Sequence, residues 1–332
     1  MSESTDKEQK VTAEGENVSI EMLEAEAQAG VPEAQALLGR KYLQGDGVTR
    51  NLPKAVKWLQ LAARKGNSDA QFHLGSCCVA GMGLPKNVRK GAQLIQEAVS
   101  QGHPEASAAL GGLYELGCGV PRNISKAIEC YNYAVENGSA QGMFFLGRMY
   151  QEGMGIKRDV KKAEYLLRAA VEQGHALAAN NLGALYQRGG GGVEKNLTEA
   201  ARLFLFSAER GDVVAQYNYG RCCANGDGVP QDDAEAVRWY RRAAEKGESD
   251  AQYQLAFHYA EGRGVEKNPE EAFRWYHASA KEGVPYAQYD LACCYAKGEG
   301  VKIDMKKALY WCRLAAMNGD SNALNMLQQL GV

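Results

Sequence analysis

Apolar and small residues recur along this chain with two nested periods. The shorter is helical: Ala34, Leu38, Gly39 and Tyr42 fall on one face of a helix, and the same face returns as Ala251, Leu255, Ala256 and Tyr259. The longer is the spacing of the small residue in that face, which is Gly39, Gly75, Gly111, Gly147, Gly183, Gly220, Ala256 and Ala292. The step is 36 residues except for one step of 37, between Gly183 and Gly220. The extra residue lies in the run Gly189-Gly190-Gly191-Gly192, a turn, where an insertion costs little.

Each period predicts two helices and two turns. A G-x-G turn such as Gly45/Gly47 or Gly298/Gly300 supplies the positive φ that ends the first helix. The second helix opens at a column of good N-caps: Asn51, Asn87, Asn123, Asp159, Asn196, Asp232, Asn268 and Asp304. Glu199, Glu235 and Glu271, three residues on, have capping-box spacing. Its buried face reads Ala55-Trp58-Ala62, copied as Ala236-Trp239-Ala243 and Ala308-Trp311-Ala315, and a glycine such as Gly66 or Gly247 stops it. A single pair of helices cannot bury its own core, so the pattern predicts a stacked array.

The predicted organisation is a disordered polar tail over 1–17 and one solenoid over 18–332. The solenoid comprises a capping helix at 18–30, repeats over 31–318 and a capping helix at 319–332, in which Gln328 replaces the packing glycine. The terminal helices are polar on one side because each has only one neighbour.

The consensus A-x-x-x-L-G-x-x-Y-x-x-G-x-G-V-x-x-N/D-x-x-K/E-A-x-x-W-x-x-x-A-A-x-x-G resembles the Sel1-like repeat family, which is related to tetratricopeptide repeats. The likeness runs from about residue 18 to the end. It implies an all-α fold, a right-handed α/α superhelical solenoid of about eight two-helix Sel1-like repeats with a capping helix at each end. It also implies an adaptor, since Sel1-like proteins typically assemble other proteins. One branch, secreted and cysteine-rich, is stapled by disulfides and linked to penicillin binding or slow β-lactam hydrolysis. Its second-helix cysteine positions correspond here to Ala62, Ala63, Ala243 and Ala244, so that branch stands as the alternative.

Composition narrows the partners. A net charge of −2 offers no electrostatic pull toward nucleic acid, and no apolar run approaches the ~20 residues of a membrane helix. The first eighteen residues lack the basic and apolar regions of a secretory signal. The nine cysteines include three adjacent pairs but no CxxC, which together predict a reduced, cytoplasmic protein.

Chemistry is sparse. P-loop, HExxH, GxSxG and EF-hand patterns are absent from the sequence, and the reading is of a non-enzyme with no cofactor. Cys222, His258 and Cys294 share one column in successive repeats, but helices pack ~8–10 Å apart, too far for three ligands on one ion. They read as buried structural residues, and no metal site is expected. His73, His103, His175 and His277 are not expected to cluster. Cys118, in the middle of a G-x-G turn, is expected to be exposed and is the candidate modifiable thiol.

In related helical-pair solenoids the first helices line the concave side. Two columns off their packing stripe are then candidate partner contacts. The first contains Phe72, Phe144, Asn180, Tyr217, Tyr253 and Tyr289; the second contains Arg40, Arg148, Arg221 and Phe257. Aromatic residues and arginine are enriched in interface hot spots. The tyrosines are equally consistent with packing between repeats. Arg241, Arg242 and Arg313, on second helices, are expected to face solvent. The expected function is a scaffold that binds a protein or peptide partner in the concave groove.

Overall fold

The computed structural model describes residues 19–330, so the predicted tail over 1–17 lies outside the described residues. Among those residues the regular structure is helical, with a single isolated β-bridge, Gly190 to Val193, inside the four-glycine turn. The chain begins with α1 (Ile20–Ala29) and ends with α18 (Ser321–Leu330). The first helices of the eight repeats are α2 (Pro32–Gln44), α4 (Ser68–Ala80), α6 (Pro104–Leu116), α8 (Ala140–Glu152), α10 (Ala176–Arg188), α12 (Val213–Asn225), α14 (Ser249–Glu261) and α16 (Pro285–Lys297). The second helices are α3 (Leu52–Arg64), α5 (Val88–Ser100), α7 (Ile124–Glu136), α9 (Val160–Glu172), α11 (Leu197–Glu209), α13 (Asp233–Glu245), α15 (Pro269–Lys281) and α17 (Met305–Met317).

The chain divides into two compact units, one ending at Gly142 and the other beginning at Met143. Helices pack against their neighbours in chain order within each, α1 through α7 in the first and α9 through α18 in the second.

Every predicted N-cap of a second helix is made. Asn51 Oδ1 accepts from the Lys54 amide at 3.0 Å, and Asp232 Oδ1 from the Glu235 amide at 2.9 Å. The reciprocal arm of the capping box is replaced. The N-cap amide donates instead to the last turn of the first helix, as Asn196 does to the Tyr186 carbonyl at 2.9 Å and Asp232 to that of Cys223 at 2.8 Å. The glutamates pair instead with arginines, Glu199 with Arg202 at 2.6 Å and Glu235 with Arg238 at 2.9 Å, and Glu235 also accepts from the buried Trp239 indole at 2.8 Å. The loop bond uses the donor that the glutamate would have taken.

Close approach within a repeat explains the small column. A Cβ on Gly39 would lie 2.7 Å from Leu59 Cγ, and one on Gly220 would lie 2.8 Å from a ring carbon of Tyr240. Between several repeats the joint is a buried glutamine that donates to the preceding second helix. Gln35 reaches the Ala27 carbonyl at 2.9 Å, Gln216 that of Ala208 at 3.1 Å and Gln288 that of Ala280 at 3.1 Å. The second glycine of several turns makes another joint. At Gly119 and Gly300, both with positive φ, a Cβ would run into the carbonyl oxygens of Val88 and Pro269 at the start of the preceding second helix.

Candidate functional site

In the first unit, Arg40 is exposed on α2 and Phe72 is half-buried on α4. Arg40 is close enough to His73 and Asp69 on α4 for its charge to act on both. Phe72 packs beside His73, with centroids 4.8 Å apart, and beside His103, 5.0 Å away. His103 caps α6 through Nδ1, which accepts from the Ala106 amide at 3.1 Å, and its Nε2 lies 2.9 Å from Asp69. His73 and His103 thus flank the same ring, and the charge of His103 acts on His73. Burial and the Arg40 charge then push His73 down to about 4.

The second unit carries the remaining candidates. Phe144 is buried at 8% exposure and stacks on His175, centroids 4.9 Å apart, while His175 caps α10 through Nδ1 at 3.1 Å from the Ala178 amide. Phe72–His103 and Phe144–His175 are thus the same device, an aromatic residue closed by the histidine that starts the next first helix. Phe144 serves packing. Asn180 accepts from Asn218 at 3.0 Å, a side-chain bond between successive first helices.

Tyr217, Tyr253 and Tyr289 are half-buried, as are Arg148, Arg221 and Phe257. Arg148 lies over the Phe145 ring at 5.7 Å and Arg221 over the Tyr217 ring at 5.7 Å, so both guanidiniums spread along aromatic surface on their own helices. Phe257 has the Arg263 guanidinium 5.9 Å from its centroid. Tyr253 combines packing with polarity: it sits 5.7 Å from Tyr276 and 4.3 Å from Tyr286, and its hydroxyl pairs with Asp290. Burial pushes the Asp290 carboxyl up to about 6, against the opposing pull of that hydroxyl.

Beside Tyr289 and Asp290 a cavity of about 490 Å³ opens between the end of α14, the start of α15 and α16. Nothing in the one-letter pattern marked it, although Asp290 is the single acidic residue in a column that otherwise reads Leu37, His73, Ala109, Phe145, Asn181, Asn218 and Gln254.

Cys118 is half-buried rather than exposed. It packs on the core that contains Ile95 and Leu113, because Gly119 is pressed against the preceding second helix and carries the turn inward. Met82 and Met154 hold the same turn position and are also half-buried, a run of apolar residues that signalled the inward tilt. Cys222, His258 and Cys294 are buried, each within its own repeat, and His258 Nδ1 lies 2.9 Å from the Arg263 carbonyl of its own turn. Burial pushes the thiols of Cys222 and Cys294 up to about 12, the neutral state of a packing residue. All nine cysteines are free thiols. Arg241, Arg242 and Arg313 are exposed on the second helices; Arg241 donates to the Tyr259 hydroxyl at 2.7 Å and Arg242 lies 4.5 Å over Trp239.

The family model for the Sel1 repeat matches eight consecutive segments: 32–67, 68–103, 104–139, 140–175, 176–212, 213–248, 249–284 and 285–320. Among solved structures the chain is similar to a protective antigen present in uropathogenic Escherichia coli strains displaying an SLR fold. That match has 34% identity, covers 95% of this chain and 67% of the other, and has a TM-score of 0.71. The chain is also similar to a Sel1 repeat protein from Oxalobacter formigenes, with 30% identity over 94% of this chain and 90% of the other and a TM-score of 0.62. No curated protein matches the chain. The one longer segment, 176–212, contains the four-glycine turn, so model and period agree on where the repeat was lengthened. With its glycine turns, N-cap column and paired helices all in register with those segments, the chain belongs to the Sel1 repeat family.

Proposed function

We propose that this chain is a scaffold whose first-helix faces hold a protein or peptide partner. Sel1 repeat proteins are generally protein-interaction scaffolds, and no described helix is long and apolar enough to cross a membrane. The observation that carries the reading is the set of half-exposed aromatic and arginine side chains on α8, α12 and α14: Arg148, Tyr217, Arg221 and Phe257. Rings and guanidiniums already spread against one another lose little side-chain entropy when a partner covers them. Phe144, buried against His175, supports such a face from behind, and Phe72 takes the same supporting role beside Arg40.

The free thiols favour a reducing, cytoplasmic setting over the disulfide-stapled penicillin-interacting branch. Cys118, half-buried, is reactive only to reagents that reach the turn.

The test is an Arg148→Ala/Arg221→Ala double variant, immobilised and used to capture partners from a lysate of the native cell. Helicity should be unchanged, and affinity for the partner that wild type enriches should fall by roughly a thousandfold, since two hot-spot side chains at about 2 kcal/mol each sum to about 4 kcal/mol. Undiminished capture would rule out this face as the binding surface.

A further inference from the structure

The cavity of about 490 Å³ between α14, α15 and α16 is large enough for a ligand group and has an unusual charge arrangement. Its mouth is formed by Glu261, Lys267, Lys297 and Glu299, all exposed, two acids and two bases whose charges cancel. Inside stand the ring of Tyr276, which is 5% exposed, and the half-buried carboxyl of Asp290. The one formal charge that the cavity interior offers is therefore negative. The Tyr253 hydroxyl pairs with that carboxyl from α14 and leaves further lone pairs for another donor. Tyr289, a member of the aromatic column on the first helices, forms part of the wall, so the cavity opens beside the proposed partner path.

We infer that this cavity receives a basic side chain, lysine or arginine, of the bound partner, with Asp290 accepting from its cationic head and the Tyr276 and Tyr289 rings flanking its stem. The inference rests on the scaffold reading and deepens it. The interior itself offers no cation, although the charge of Lys297 at the mouth already acts on Asp290. A partner's cation would form a charge-assisted hydrogen bond with a carboxylate that burial now disfavours, and it would lie beside aromatic rings that attract positive charge. A neutral polar head would satisfy the same lone pairs without relieving the buried charge. An acidic head would add a second negative group beside Asp290 and near Asp320, whose charge already acts on it.

The test titrates the full chain, labelled at alanine methyl groups, with the capped peptides Ac-Gly-Arg-Gly-NH2 and Ac-Gly-Lys-Gly-NH2. Ala260 and Ala272, which line the cavity, are the reporters. Saturable shifts at these two methyls are expected with at least one basic peptide. Replacing arginine by citrulline, or lysine by norleucine, should weaken binding roughly tenfold, the worth of one charge-assisted contact. Asp290→Asn should weaken it to the same degree. The citrulline and norleucine arms use the wild-type chain and so do not depend on how a variant folds. Equal binding of basic and neutral peptides, or shifts confined to methyl groups elsewhere, would overturn the inference. Such a failure would leave lysate capture dependent on Arg148 and Arg221, whereas failure of the scaffold reading would abolish that dependence too.

Discussion

Phe72 in the first unit and Tyr253 in the second occupy the same repeat position, yet they close the joint to the next repeat in different ways. Phe72 lies under an N-cap histidine, His103, and beside His73. Tyr253 meets two further tyrosines, Tyr276 and Tyr286, and turns its hydroxyl to Asp290. The next column differs just as sharply: it holds His73 directly after Phe72, and on the first helix after Tyr253 it holds Asp290. One backbone joint thus accepts either an aromatic–imidazole stack or a hydrogen-bonded acid. The second solution leaves the charged cavity beside it. The repeat fixes where a side chain sits; its identity decides whether that place is filled or open.

Backbone joints that both units share give the largest expected effects. Gly119→Ala and Gly300→Ala each drive a Cβ into a carbonyl of the preceding second helix at positive φ. Each should cost about 3 kcal/mol, read by denaturant unfolding and by hydrogen exchange in the affected repeat. Gly138→Ala and Gly283→Ala have positive φ but open space, and should cost about 1 kcal/mol. Equal losses in the two pairs would mean that the close stacking of turns contributes nothing.

Side chains come next. Phe144→Ala removes a buried ring and should cost about 3 kcal/mol, whereas Tyr253→Phe removes only a hydroxyl and should cost about 1 kcal/mol. If the two were reversed, the division between supporting and polar aromatic residues would fail.

The smallest effect has opposite signs in the two units. His73 has a folded pKa of about 4, below its ordinary 6.5, so its contribution to stability is full above pH 6.5 and lost as pH falls through 4. Asp290 has a folded pKa of about 6, above the ordinary 3.8, so its contribution is full below pH 3.8 and lost as pH rises through 6. His73→Leu and Asp290→Asn, residue types that the same column carries in other repeats, should each flatten the pH dependence of exchange in its own repeat. A pH profile unchanged by both would show that neither group titrates differently on folding.

The helices, caps and turns were legible in the sequence because each is a local decision repeated eight times. Asn51 and its column announce a helix start whatever surrounds them, and Gly45 and its column announce an end. What stayed hidden depends on which repeat meets which. The capping-box spacing of Glu199 was present, but the donor it needed was taken by the Tyr186 carbonyl. Cys118 looked exposed in its own turn and is half-buried by Gly119's approach to Val88. Phe72 and Phe144 looked like contact residues until His103 and His175, 31 residues later in each case, were seen to cover them. That pairing was available as a correlation between columns, Phe with His in both repeats that carry Phe. The cavity was not, because it arises where three helices meet, and a single column does not describe it.

The central claim is that partners lie on the first-helix face of the second unit. A photo-reactive phenylalanine analogue placed at Phe257 on α14, or at Arg242 on the exposed side of α13, tests it directly in the native cell. The account predicts a discrete cross-linked protein from position 257, diminished by Arg148→Ala/Arg221→Ala, and none from position 242. Equal cross-linking at both, or cross-linking from 242 alone, would contradict it.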